Sequence, residues 1–190
     1  MEIFEYPTET LLNSGFKLLI NRHVCHIFSE ATTRMVCVPG QKMVDEELCY
    51  SLGYRVQEFL YDGGVIVVEV GDIDIADFGK LGNTFKDDFL TYLTEWLVQR
   101  GLNAKFENND VLVDDYKVCG AGGRRHTGID YTTIHIGINT NVENIGKICT
   151  KEMRKIPKGL SEYGITSEDI RKVFTEFCTK YHEEGIEWIK

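Results

Sequence analysis

The 190-residue chain predicts an α+β fold, one domain with a mixed, mainly antiparallel sheet backed by helices. Three observations predict it. Short apolar runs recur, separated by glycine and aspartate clusters such as Asp62-Gly63-Gly64, Gly71-Asp72 and Asp114-Asp115. Two segments, 86–100 and 167–182, carry apolar residues at the spacing of amphipathic helices. The strand-like runs come in pairs interrupted by a few helices, not in regular strand–helix alternation.

Residues 16–28 and 34–38 read as strands around Ala31-Thr32-Thr33, and Pro39-Gly40 is a turn. Residues 41–52 fit a helix with Met43, Leu48 and Leu52 inward. Strands are expected at 55–60, 64–70 and 73–78. The helix 86–100 places Phe89, Leu90, Leu93, Trp96 and Leu97 on one face. Thr84 or Asn83 can cap its start, and Gly101 ends it. Strands follow at 104–107, 111–113, 117–119 and 131–138, then a short helix at 143–152. The last helix has Thr166 or Ser167 as N-cap, acids in its first turn, and a stripe of Ile170, Val173, Phe174 and Phe177.

A net charge of −9 argues against general nucleic-acid or anionic-membrane binding. No apolar run approaches the ~20 residues that span a bilayer. The acidic start, Met1-Glu2-Ile3-Phe4-Glu5, lacks the basic segment of a signal peptide, so the expected location is cytoplasmic. Six widely spaced cysteines then read as reduced thiols, not a disulfide framework. His23, Cys25 and His26 carry ligand chemistry, but no second paired cluster completes a zinc site.

The stretch Asn109–Gly123 is the most informative. It reads as strand, tight turn, strand and glycine-rich exit, with Lys117 just ahead of Gly120, Gly122 and Gly123. A carboxylate, a point positive charge and approachable backbone suit an anionic nucleotide intermediate. The residues Asn-Asp-Val-Leu-Val-Asp-Asp-Tyr-Lys-Val-Cys-Gly-Ala-Gly at 109–122 resemble a motif of the biotin/lipoate-protein ligase catalytic domain, closest to lipoate-protein ligase. The strand and turn over 131–148, the helix segment 158–182, the strand ending in Gly40-Gln41 and the run 60–78 are also similar to that family.

The resemblance implies a class II synthetase-like fold over 1–190, without the C-terminal accessory domain many lipoate ligases carry; a separate accessory-domain chain can supply it. It implies ATP-dependent activation of lipoate or octanoate to an acyl-adenylate. Transfer to a lysine of a lipoyl-type acceptor protein follows. Lys117 would contact the activated acyl group and phosphate, Asp110 would hold Mg²⁺, and Asn109 would contact the nucleotide or orient Asp110. Gly120, Ala121 and Gly122 would pass close to the acyl chain. Thr133 or, on the same strand face, His135 would take the place of a family histidine.

Gly63 and Gly64 occupy the place of the family's glycine-rich loop, yet 58–62 contains no arginine, and Asp62, Glu69 and Asp72 add negative charge. Arg124 and Arg125, followed by His126, are candidates to restore the positive charge. The alternatives are an inactive ligase-like binding protein, a biotin-protein ligase, or an octanoyl/lipoyl transferase. The related transferases carry their nucleophilic cysteine near the place of Pro157-Lys158-Gly159, where this chain has none. Cys119 can share a face with Lys117 but reads first as a small buried residue.

Overall fold

The computed structural model describes residues 2–5, 25–38, 43–58, 64–80, 84–126, 129–150, 153–181 and 187–189. An eight-stranded sheet contains β1 (Glu2–Glu5), β2 (Cys25–Glu30), β6 (Ile73–Lys80), β7 (Ala104–Glu107), β8 (Asp110–Val113), β9 (Tyr116–His126), β10 (Ile129–Ile136) and β11 (Glu187–Ile189). Its order is β11-β1-β2-β6-β10-β9-β8-β7. Among the described strands of this sheet, only the β1 pairings with β11 and β2 are parallel. A second sheet has β3 (Met35–Val38) between β4 (Arg55–Glu58) and β5 (Ile66–Val68). The mixed, mainly antiparallel α+β architecture expected from the sequence is therefore the one found.

Among the described residues the α-helices are α1 (Glu46–Ser51), α2 (Phe85–Gln99), α3 (Val142–Ile148) and α4 (Ser167–Tyr181). Thr166 caps α4 through a reciprocal pair. The Asp169 N–H donates to the Thr166 hydroxyl at 3.2 Å, and the Thr166 N–H donates to the Asp169 carboxylate at 3.0 Å. Thr84 precedes α2, but its hydroxyl donates to the Asp88 side chain at 2.6 Å and accepts no backbone N–H as a cap. Gly101, at φ +82°, follows the end of α2 as expected.

One face of the large sheet packs on α2 and α4. Phe85, Phe89, Leu90, Leu93 and Leu97 meet Ile170, Val173, Phe174 and Phe177 over Ile73, Ile75, Ile134 and Ile136. Each such side chain, fully buried, contributes about 1.5–3 kcal/mol. Phe89 and Phe174 meet edge-on, with centroids 5.5 Å apart. The small sheet has its own core of Val36, Val38, Val44, Cys49, Tyr54, Val67, Ile145 and Ile148.

Two tight hairpins shape the region around Lys117. Asn108 and Asn109 join β7 to β8, and Asp114 and Asp115 join β8 to β9. All four have positive φ, between 50° and 68°. That is the type I′ geometry whose twist matches antiparallel strands, and it favours asparagine and aspartate. The glycine-rich segment after Lys117, expected as an exit loop, is instead the middle of β9. Its glycines pair with β10 out to His126, because the ladder satisfies their backbone groups and no turn residue interrupts it.

β10 leaves β9 at Gly137, whose N–H donates to Val118 O at 3.0 Å. The segment 156–158 takes over as partner: Lys117 N–H donates to Ile156 O, and Lys158 N–H to Lys117 O, both at 2.9 Å. Gly159 lets this segment settle on the 138–140 turn. A Cβ there would lie 2.4 Å from Ile138 O and 2.8 Å from Thr140 N. Gly159→Ala is therefore expected to cost about 1–3 kcal/mol in urea unfolding, as overpacking against rigid backbone does. An unchanged midpoint would show that the turn yields freely.

Candidate functional site

A β-bulge sets the geometry of the site. Val111 pairs with Cys119, but the next residue, Leu112, pairs with Lys117, which leaves Val118 as the extra residue. Lys117 and Gly120 are three positions apart and would face opposite ways on a regular strand. The bulge resets the alternation and brings them to one face. A Cβ built on Gly120 would lie 2.6 Å from both Cε and Nζ of Lys117. The ammonium thus lies across Gly120 and ion-pairs with Asp110 Oδ1 at 2.8 Å. The Lys117 side chain keeps 38% exposure, so another anion can reach it.

The same alternation turns Cys119 away from Lys117 and into the core. Burial pushes its thiol pKa far up, and burial pushes Cys37 and Cys178 to about 12. Cys37, Cys49, Cys119, Cys149 and Cys178 are all free. Thiols so raised are poor nucleophiles. Ala121 likewise packs against the core, so its methyl cannot line an acyl site, whereas Gly120 and Gly122 face the other way.

A polar row crosses four strands on the side of the large sheet away from α2 and α4. Asp74 on β6 pairs with His135 on β10, His135 with Gly120 on β9, and Gly120 with Asp110 on β8. The neighbouring row holds Ala76, Thr133 and Gly122, all small. Thr133 and His135 do share a strand face, as expected, and both are partly buried.

His135 Nδ1 is 3.0 Å from Asp74 Oδ1, and Nε2 is 3.7 Å from Asp72 Oδ2. Burial opposes the imidazolium, but the charge and hydrogen bond of Asp74 and the charge of Asp72 outweigh it. The His135 pKa is raised above its ordinary value even with Lys117 nearby.

Asp72 and Glu69 do not act as free negative charges, contrary to the sequence expectation. Asp72 accepts from the N–H groups of Ile138 at 2.6 Å, Asn139 at 2.9 Å and Glu69 at 2.8 Å. Burial nevertheless raises its pKa. Glu69 pairs with Arg34 at 2.9 Å and accepts from the Tyr54 hydroxyl.

Asp110 Oδ2 lies 3.3 Å from Lys155, so each oxygen of this carboxylate faces a lysine. Among the described residues no three His, Cys, Asp or Glu side chains converge as metal ligands. As it stands, this donor set does not fit a magnesium ion held by the chain. Asn109 sits in the hairpin turn, with its side chain accepting from Lys86 Nζ at 2.5 Å and its carbonyl from Ala121 N–H at 2.8 Å.

Gly64 is exposed just before β5, and Gly63 lies outside the described residues. Arg124 and Arg125 pair along the backbone with Tyr131 and Asp130, but their side chains lie outside the described part. His26 is buried with Asp77 at 2.9 Å and stacks on Phe85, which gives it a place in the core.

Sequence reasoning missed Lys155 and Asp74. The alternation Asp72-Ile73-Asp74-Ile75 was the available signal for Asp74, since it puts acids on the second face of a buried strand. Nothing in the local sequence distinguishes Lys155 from the other lysines of 151–158.

The raised His135 pKa has a definite stability consequence. Its contribution is fully present below the unfolded value of about 6.5 and is lost as pH rises through the higher folded value. NMR titration should place His135 above the ordinary histidine range, and Asp74→Asn should lower it. Unfolding of wild type and His135→Gln should converge at alkaline pH. A His135 pKa at or below the ordinary value would refute the assignment.

The fold recurs in solved structures. A putative lipoate protein ligase from T. acidophilum with bound lipoic acid superposes with a TM-score of 0.80, at 13% identity over 99% of this chain and 88% of that one. Lipoate-protein ligase A bound with ATP gives 0.78, at 13% identity over 100% and 89%. A bi-partite lipoate protein ligase from T. acidophilum, studied with its E2 lipoyl domain, gives 0.75, at 15% identity over 100% and 85%. Identities this low establish the fold alone. No curated protein matches the sequence. The lipoyl protein ligase A/B catalytic domain matches residues 40–176, and the chain belongs to that family.

Proposed function

We propose that the protein is an ATP-dependent lipoate-protein ligase. It joins lipoate or octanoate to AMP and passes the acyl group to a lysine of a lipoyl-type acceptor. The observation that carries this reading is the Lys117 ammonium lying across Gly120, beside Asp110 and in line with His135.

In the first step a carboxylate oxygen attacks the α-phosphorus of ATP, an acyl–O–P bond forms and pyrophosphate leaves. In the second the acceptor amine attacks the acyl carbon, a C–N bond forms, the C–O bond to AMP breaks, and the amine proton is released. Both steps build negative charge on oxygen next to phosphorus. A fixed ammonium stabilises that charge at no cost of reorganisation. Gly120 and Gly122 keep the backbone bare beside it, and Ala76 and Thr133 keep the neighbouring row shallow. Any Mg²⁺ needed would arrive on the ATP phosphates, since Asp110 already faces two lysines.

The bi-partite ligase studied with its E2 lipoyl domain supports a lipoyl-type acceptor as partner, and a separate accessory-domain chain is a further candidate. The free cysteines among the described residues fit a reducing, cytoplasmic setting. Among the described residues no helix is long and apolar enough to cross a membrane.

A second reading, a ligase-like protein that binds without catalysis, rests on the arginine-free segment 58–64. Incubation with ATP, Mg²⁺ and a panel of carboxylic acids separates the two. Mass detection should find an AMP adduct of lipoate or octanoate and none of biotin. No adduct with any acid would end the enzymatic reading.

Lys117→Gln should lower adduct formation by about 10²–10³-fold, the usual cost of one preorganised electrostatic partner. Gly120→Ala should act through the same group, because its methyl displaces the flexible end of Lys117. It should retain the wild-type melting temperature while losing activity. A fully active Gly120→Ala would contradict this placement of the ammonium.

A further inference from the structure

Lys155 enters the site through the segment that replaces β10. The paired backbone of Lys117 and 156–158 carries it to the far side of Asp110 from Lys117. Its contacts are all long: 3.3 Å to Asp110 Oδ2, 3.6 Å to Glu107 Oε1 and 3.5 Å to Glu107 O. Lys117 holds the other Asp110 oxygen at 2.8 Å.

The neighbouring lysines are committed elsewhere. Lys158 lies 3.4 Å from Glu162 and over the Tyr116 and Tyr163 rings. Lys105 is held by Asp115 at 2.7 Å. Lys86 bonds to Asn109. Lys155, spread over three weak contacts and 25% exposed, is the ammonium that a stronger anion draws away with least loss.

We propose that Lys155 is a second phosphate-binding residue of the site, and that Asp110 is the shared counter-ion of two lysines and not a metal ligand. This rests on the adenylate-forming reading above. Two ammoniums face the two oxygens of one carboxylate beside Gly120, with Glu107 Oε1 3.6 Å from Lys155. Together they supply positive charge that the arginine-free segment 58–64 does not. On binding, the phosphoryl oxygens replace Asp110 as the partner of Lys155, while Lys117 stays across Gly120.

Calorimetry with lipoyl-AMP and with lipoate, each in EDTA and in Mg²⁺, tests the proposal on wild type, Lys155→Gln, Lys155→Arg and Asp110→Asn. Melting curves establish that the variants fold. Lys155→Gln should bind lipoyl-AMP about ten-fold more weakly, the value of one hydrogen bond to a charged group. Its lipoate affinity should be unchanged, and Lys155→Arg should restore lipoyl-AMP binding. Asp110→Asn should bind lipoyl-AMP in EDTA at least as tightly as wild type, because both ammoniums are freed.

Equal lipoyl-AMP affinity in wild type and Lys155→Gln overturns the role of Lys155 and leaves the ligase reading intact. Loss in Asp110→Asn of a Mg²⁺-dependent gain that wild type shows makes Asp110 a metal ligand and overturns the counter-ion role. A wild type that ignores lipoyl-AMP overturns the ligase reading and this inference together.

Discussion

The placement of one ammonium across one bare Cα governs the rest of the site. Lys117 occupies the space where any residue other than glycine at 120 would put its Cβ. The Asp110 carboxylate fixes the ammonium there at 2.8 Å. This pairing stays open to solvent on one side, so attraction to Asp110 is partly screened and a phosphate can compete for it. A charge buried completely would be too costly to redirect, and one exposed completely would have no fixed position. The half-buried position serves both needs.

That arrangement depends on elements far apart in the chain. The bulge at Val118 aims Lys117, the Asp114-Asp115 turn fixes the β8–β9 register, and the 156–158 segment satisfies the Lys117 backbone. Asp72 joins the 69–72 turn to Ile138 and Asn139, and so fixes the start of β6 against the end of β10. The His135 imidazole, between Asp72 and Asp74, sits where those two strands meet. Packing of the apolar face against α2 and α4 holds the sheet under all of these groups.

Much of this was legible in the sequence. Both long helices, the Asp114-Asp115 turn and the strand at 104–107 follow from local patterns of apolar spacing and turn chemistry, and the structure has them within a residue or two. Lys117 and Asp110 were found through a motif. What was not legible is long-range or depends on counting. Reading 120–123 as an exit failed because glycine in a strand and glycine in a loop look alike without the partner strand. Cys119 reads first as a small buried residue and is one, while its alternative place on the Lys117 face follows from simple alternation, which a bulge breaks. Lys155 depends on a contact across 45 positions with Asp110, and nothing in its own neighbourhood encodes it.

The bulge also fixes what kind of change the site can absorb. Swapping one apolar side chain for another at position 118 would alter packing but leave the parity of the strand intact. Inserting one residue opposite it, between Val111 and Leu112, would give Val118 a partner, remove the bulge and rotate the chain on one side of it by half a pleat. Lys117 would then project on the side opposite the next glycine, and a chain with every functional residue still present would have them on two different surfaces. In this hairpin, chain length carries chemical meaning that no single side chain does.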